Sequence, residues 1–119
     1  DVRALAVART GDVLYAGTRS GVFRSMDGGA SWARTGLAQI AVALVLDPRA
    51  PDTVFAGTSE GVFRSSDGGE SWGPMNRGLS GLAVRALAID ASGAFLHAGT
   101  DAGVFDLPLR PTPRIPPQR

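Results

Sequence analysis

An internal repeat constrains this chain more than any other feature. Residues 16–23, Ala-Gly-Thr-Arg-Ser-Gly-Val-Phe, return in closely similar form at 56–63 and again at 98–105, at spacings of 40 and 42 residues. Between 16–32 and 56–72, 13 of 17 positions are identical, and only 19/59, 20/60, 26/66 and 30/70 differ. The stretch ahead of each copy recurs too: Val-Arg-Ala-Leu-Ala-Val at 2–7 matches Val-Arg-Ala-Leu-Ala-Ile at 84–89, with 41–46 as the middle copy. One such unit cannot bury its apolar surface alone, so the chain must stack like units against one another.

A period near 40 residues suits pairs of helices as well as four-stranded blades. Glycine decides between them. Each unit carries several glycines as regularly spaced punctuation, and each would cost a helix about 1 kcal/mol. Between them lie strand-length runs of Val, Phe and Leu. Stretches 37–47 and 82–92 are Ala-rich and free of Gly and Pro, which by propensity also suits a short helix. Their short apolar cores, followed by turn residues and another strand, favour buried strands.

Each unit then reads as four strands. Strand one covers 2–7, 41–46 and 84–89; strand two, 13–18, 53–58 and 94–100; strand three, 21–25, 61–65 and 103–106; strand four, 31–35 and 71–75. The third unit stops before strand four. Strand one is apolar on both faces, as a sheet with a neighbour on either side requires. The expected fold class is all-β, a β-propeller of about 2.75 four-stranded blades. Blade one would cover 1–38, blade two 39–81 and an incomplete blade three 82–106, with 107–119 as a tail.

Composition removes several functions. The chain has 119 residues, room for one ordinary domain. Its 12 basic residues, all Arg, face 11 acids, for a net charge of +1. That balance excludes a nucleic-acid binder read from charge. Arginine without lysine, among many Ala and Gly codons, suggests a GC-rich bacterial genome. With no Cys there is no disulfide, thiolate metal site or Cys nucleophile. One His and one Tyr exclude a His zinc cluster, and any Ser-His-Asp triad would have to use His97. No metal or cofactor is expected. No apolar run approaches the ~18 residues of a membrane span.

Between strands three and four lies Ser25-Met26-Asp27-Gly28-Gly29-Ala30-Ser31-Trp32, copied as Ser65-Ser66-Asp67-Gly68-Gly69-Glu70-Ser71-Trp72. An Asp at such a turn accepts bonds from backbone N–H groups, and the glycines supply positive φ. The Ser hydroxyls can close the same network. Trp32 and Trp72 are expected to be largely buried, fixing the angle of each hairpin.

These segments resemble the Asp-box, Ser/Thr-x-Asp-x-Gly-x-Ser/Thr-Trp. The chain is similar over residues 1 to about 106 to the BNR-repeat propellers: sialidases, sortilin-type receptors, xyloglucan-hydrolysing enzymes and photosystem II stability/assembly factors. The phrase Gly-Val-Phe-Arg-Ser-x-Asp-Gly-Gly-x-Ser-Trp is especially like bacterial BNR-like repeat proteins. The resemblance implies a propeller. It leaves function open, because that family holds enzymes and binders alike.

The resemblance also implies that Ser25, Asp27, Gly29, Ser31 and Trp32, with Ser65, Asp67, Gly69, Ser71 and Trp72, are structural. The loop lacks the further oxygen ligands of a calcium loop. His97 stands where Tyr15 and Phe55 stand, at a strand-two packing position. Tyr15 is the one candidate for a sialidase-type nucleophile, but no arginine triad accompanies it. No catalytic residue is assigned. Positions that differ between repeats tune a site. Those at the strand two–three turns are Arg19, Glu60 and Asp101. Propeller topology adds Arg3, Arg85, Arg77 and Gln39 to the same rim, and in the resembled family ligands meet the rim opposite the Asp-boxes. Arg3, Arg19 and Arg85 are expected to form one basic patch, with Val42 as the gap between blades.

Five of the 8 prolines lie in 107–119, which reads as a polyproline-type tail or linker. Residues 107–110 could also supply the missing outer strand, where proline is tolerated. The start at Asp1, without Met or signal sequence, suggests a processed product or a fragment. The favoured function is a non-enzymatic module binding or assembling with a protein or glycan ligand. The alternative is a blade fragment of a xyloglucanase- or sialidase-like glycoside hydrolase whose catalytic residues lie elsewhere. Family habit and the absence of Cys point to export from a bacterium. Open propeller sheets expose apolar surface, so the chain should be a homo-oligomer or part of a longer propeller. Two copies would give about six blades and three about eight.

Overall fold

The computed structural model describes residues 2–8, 11–75, 82–90 and 92–109. Three antiparallel sheets follow one another along the chain. The first holds β1 (Val2–Val7), β2 (Leu14–Thr18), β3 (Gly21–Ser25) and β4 (Ala33–Arg34). The second holds β5 (Ala41–Asp47), β6 (Ala50–Thr58), β7 (Gly61–Ser65) and β8 (Gly73–Met75). The third has β9 (Val84–Ile89), β10 (Phe95–Thr100) and β11 (Gly103–Pro108). In each sheet the strands lie in sequence order. The described residues contain no helix, so the Ala-rich stretches are strands where they are ordered into elements. Over the described residues the chain is all-β, a propeller fragment with two four-stranded blades and one three-stranded one.

The turn between strands two and three is built alike in all three blades. Thr18 Oγ1 donates to the Gly21 carbonyl at 2.9 Å and accepts from the Ser20 amide at 3.0 Å. Thr58 and Thr100 repeat this with Gly61 and Gly103. The glycine ending each turn has φ of 112–114°, a conformation side chains resist. Threonine thus saturates a turn that glycine makes accessible, which explains the recurring Gly-Thr-x-x-Gly.

Blades meet along their inner strands. β5 packs against β1 on one side and β9 on the other. One apolar cluster joins Tyr15, Val22 and Leu37 of blade one to Ala41, Leu44, Val54 and Ala56 of blade two. A second joins Phe55 and Val62 of blade two to Val84, Leu96, Ala98 and Leu107 of blade three. Glycine permits the approach. A Cβ on Gly17 would lie 2.8 Å from the Ala41 carbonyl oxygen, and one on Gly57 would lie 2.7 Å from Val84 Cγ1.

Two expectations need correction. Leu107 and Pro108 continue strand three, paired with Leu96 and Phe95, rather than starting a tail or a fourth strand. Leu107 occupies the place of Ser25 and Ser65. Without the hairpin's Ser, Asp and glycines nothing turns the chain, and a buried Leu holds it in the sheet. The rest of the Pro-rich stretch, 110–119, lies outside the described residues. The two tryptophans also differ. Trp72 is half-buried among blade-one residues, whereas Trp32 is 41% exposed. Trp72 lies against Gly36 of the preceding blade, and Trp32 has no preceding blade in this chain.

Candidate functional site

The two Asp-Gly-Gly hairpins close on themselves. Ser25 Oγ donates to Asp27 Oδ1 at 2.8 Å and accepts from the Gly29 amide at 2.9 Å. Asp27 Oδ1 also accepts from the Ser31 amide at 2.9 Å, and Oδ2 from the Ser31 hydroxyl at 2.6 Å. Trp32 Nε1 donates to the Gly29 carbonyl at 3.1 Å. Ser65, Asp67, Gly69, Ser71 and Trp72 repeat every contact. These donors, the Ser31 and Ser71 hydroxyls foremost, pull each aspartate down to a pKa of about 2. Both oxygens of each carboxylate are engaged inside its own hairpin, which gives these residues a structural task.

The hairpins sit at the strand one–two end. Gly28 N donates to the Asp12 carbonyl and Gly68 N to the Asp52 carbonyl, each at 2.9 Å. The strand two–three turns lie at the opposite end, because Val2 pairs with Thr18 and Val84 with Thr100. Arg3, Arg19, Glu60, Arg85 and Asp101 therefore occupy the rim away from the hairpins. Arg77 lies outside the described residues.

Arg85 and Asp101 form a bidentate pair, Nε to Oδ1 at 2.7 Å and Nη2 to Oδ2 at 3.2 Å. Their mutual hydrogen bonds, then their charges, raise the Arg85 pKa and lower that of Asp101. At blade three the rim thus presents an ion pair, and Arg85 is charge-compensated rather than part of a bare basic patch. Glu60 stands on the wall of a shallow depression of about 410 Å³, lined also by Ala38, Gln39, Ile40 and Ser59. Two exposed carboxylates, an arginine and several hydroxyl and amide groups can hydrogen-bond a polar ligand. Asp101 is held ionised, so it is unsuited to donate a proton. Among the described residues no group of three or more His, Asp or Glu could hold a metal.

Of the remaining candidates Tyr15 sits in a packing position, whereas the side chain of His97, expected to pack, is 39% exposed and pairs with an exposed acid. Tyr15 is buried, and burial raises its pKa, which argues against a nucleophile. His97 faces Asp106 across β10–β11, Nδ1 to Oδ1 at 2.7 Å. Sequence reasoning missed Arg24. It donates to the Gly68 carbonyl and pairs with Glu70 Oε2 at 3.2 Å, so blade one grips the hairpin of blade two. The available signal was the exchange of Arg24 and Arg64 for Asp106 at one repeat position.

No family model matches the chain, nor does any curated protein sequence. Solved structures do. A GH74 enzyme from Niastella koreensis matches 90% of this chain with a TM-score of 0.78 at 18% identity. An ancestral GH74 enzyme matches 89% with a TM-score of 0.73 at 21% identity. The GH74 xyloglucanase from Xanthomonas campestris matches 95% with a TM-score of 0.69 at 18% identity. The chain spans 20%, 17% and 24% of those three chains. At such identities the likeness is one of fold, and it places this chain among β-propeller segments.

Proposed function

We propose that the chain is a blade segment of a glycoside-hydrolase-type propeller, and that its strand two–three rim forms part of a carbohydrate-binding cleft. The likeness of the whole blade array to GH74 enzymes carries this reading. The hairpin geometry supports a finer one, that the blades are of the Asp-box, BNR-repeat kind. Glycoside hydrolysis needs two carboxyl groups, one of them a proton donor. Asp101 is committed to Arg85, and Glu60 has no partner carboxyl assigned to it here. The catalytic pair accordingly belongs to other blades, and these residues contribute binding. Xyloglucan oligosaccharides offer the test, by calorimetric titration and a reducing-end assay on the same samples. Millimolar binding that weakens in Glu60→Gln, with no hydrolysis, is expected. Absence of binding would overturn the carbohydrate rim, and hydrolysis by the chain alone would overturn the placement of the acids.

A further inference from the structure

The arginine clasp between blades one and two has a counterpart that the chain leaves open. Arg24 and Arg64 hold one repeat position, paired with Tyr15 and Phe55 on strand two. Arg24 reaches the hairpin of the next blade, where it donates to the Gly68 carbonyl and pairs with Glu70. Blade three offers Arg64 no such hairpin. The places of Ser65, Asp67, Gly68 and Glu70 fall to Leu107, Leu109, Arg110 and Thr112. The Leu109 amide still bonds to strand two, at the Ala94 carbonyl, as the Gly68 amide does at Asp52. The backbone contact is kept and the acid is gone. The change lies in residues 107–112 themselves, so it is the same whether or not further blades adjoin the chain. Arg64 is exposed, and its guanidinium has neither an ion pair nor a hydrogen bond among the described residues. No side chain in 76–81 or 107–119 is acidic, so neither stretch can supply the missing carboxylate.

Arg64 lines a shallow depression of about 430 Å³ with Ser66, Ser71, Trp72 and Met75. Ser66 stands where blade one has Met26, so a hydroxyl replaces a thioether beside the arginine. Ser71 is committed to Asp67, and Trp72 Nε1 to the Gly69 carbonyl. The arginine fork and the Ser66 hydroxyl remain as donors. Asp67, the nearest acid in sequence, is already engaged by Ser65 and Ser71.

We propose that this depression is a docking site for a partner protein, which enters with a glycine-turned acidic loop whose carboxylate and neighbouring carbonyl are held by Arg64. Arg24 shows the chemistry, since it grips those two groups on the hairpin of blade two. Charge complementarity argues for an acidic partner, because the guanidinium lacks the acid that its counterpart has. A planar fork holds two oxygens at once, which a point charge does not. The open shape suits a loop presented by a second protein, whereas sites for small molecules of this volume enclose most of the ligand. The docking site lies on the outer strands of blade two and is independent of whether the rim binds a sugar.

Two-dimensional NMR titration of the full chain with a synthetic peptide copying residues 65–72, Ser-Ser-Asp-Gly-Gly-Glu-Ser-Trp, tests it. Saturable shifts at Arg64, Ser66 and Met75 in the millimolar range are expected, weakening as salt rises. Arg64→Ala should weaken binding about tenfold, and Arg64→Lys nearly as much, because an ammonium cannot hold both oxygens in a fork. The peptide carrying Glu70→Ala should lose a similar factor. Arg49→Ala removes another exposed arginine and should change nothing. Both arginines are exposed, so far-ultraviolet circular dichroism should match wild type in every variant. Binding that survives Arg64→Ala, or that Arg49→Ala weakens equally, would overturn the proposal. So would an unshifted spectrum at the solubility limit of the peptide. Displacement of the peptide by equimolar inorganic phosphate would mark a general anion site and would overturn it as well.

Discussion

Alanine placed in turn at Gly17, Gly57 and Gly99 puts one methyl group at one repeat position in three surroundings. None of the three has positive φ, so alanine fits each backbone. Each substitution removes freedom from the unfolded chain, which stabilises by about 0.4–1 kcal/mol. Against this stands the contact with the next blade. At Gly17 the new Cβ lies 2.8 Å from the Ala41 carbonyl oxygen. An ordinary carbon–oxygen contact is about 3.3–3.6 Å, so the inner strands must separate by roughly half an ångström or more. At Gly57 it lies 2.7 Å from Val84 Cγ1, a buried, β-branched side chain with little freedom to turn. Overpacking of this kind costs about 1–3 kcal/mol. The net loss at either site is about 0.5–2 kcal/mol, while Gly99→Ala gains about 0.4–1 kcal/mol.

At roughly 3–5 °C per kcal/mol for a chain of this length, the first two variants should melt several degrees below wild type and the third slightly above it. Thermal and urea unfolding followed by tryptophan fluorescence, at protein concentrations below any association, measure this. Equal shifts for all three would refute the reasoning, because they would mean that the neighbouring blade does not discriminate between the sites.

Trp72→Ala should cost about 2–3 kcal/mol and Trp32→Ala about 1 kcal/mol, since half-buried Trp72 packs on the preceding blade and Trp32 does not; urea midpoints compare them. Arg24→Ala should destabilise by about 1–2 kcal/mol through the bond to the Gly68 carbonyl, while Glu70→Ala on the exposed end of the ion pair should cost under about 0.5 kcal/mol. Asp27 and Asp67 titrate at about 2 in the hairpins rather than at the ordinary 3.8, so the folded chain binds fewer protons than the unfolded one between those values. Their contribution is complete above about pH 4 and lost as pH falls through 2, and Asp27→Asn with Asp67→Asn should flatten that part of a urea-midpoint profile.

Strand order was legible because the repeat aligns three copies and one register serves all. The ends of the strands were less so, and local side chains explain why. Ser31 and Trp32 look like strand residues by pattern, but they are bonded back to Asp27 and Gly29, so β4 begins only at Ala33. β6 begins at Ala50 rather than 53 because it already pairs there with Asp47, whose carboxylate also caps the Arg49 amide. The rim that carries Arg3, Arg19, Glu60, Arg85 and Asp101 followed from counting turns. The Arg85–Asp101 pair did not, since it depends on an acid at the first turn position, where the other two turns have Arg19 and Ser59. Arg24 stayed hidden for the opposite reason: a residue shared by two repeats reads as scaffold, and its task appears only when the next hairpin is in place.

Val22, Val62 and Val104 separate what a sequence dictates from what a neighbour adds. Each follows the glycine of a two-residue turn, and each pairs with a glycine on strand two, Gly17, Gly57 and Gly99. Residue, register and sheet face are therefore the same in all three. Their burial differs because two have a following blade and a fourth strand and one, among the described residues, has neither. Intrinsic strand propensity cannot produce that difference, whereas a fourth strand contributes to it: Val22 bonds to Thr35 and Leu37 and Val62 pairs with Met75, and the third sheet ends at β11 among the described residues. The stability of each blade is consequently a property of the pair it forms with the next one, as in a one-dimensional array of repeats. The middle blade, covered on both sides, should be the last to exchange its amide hydrogens. Blades one and three, each with one bare face, should open first, and covering those faces should stabilise the end blades most.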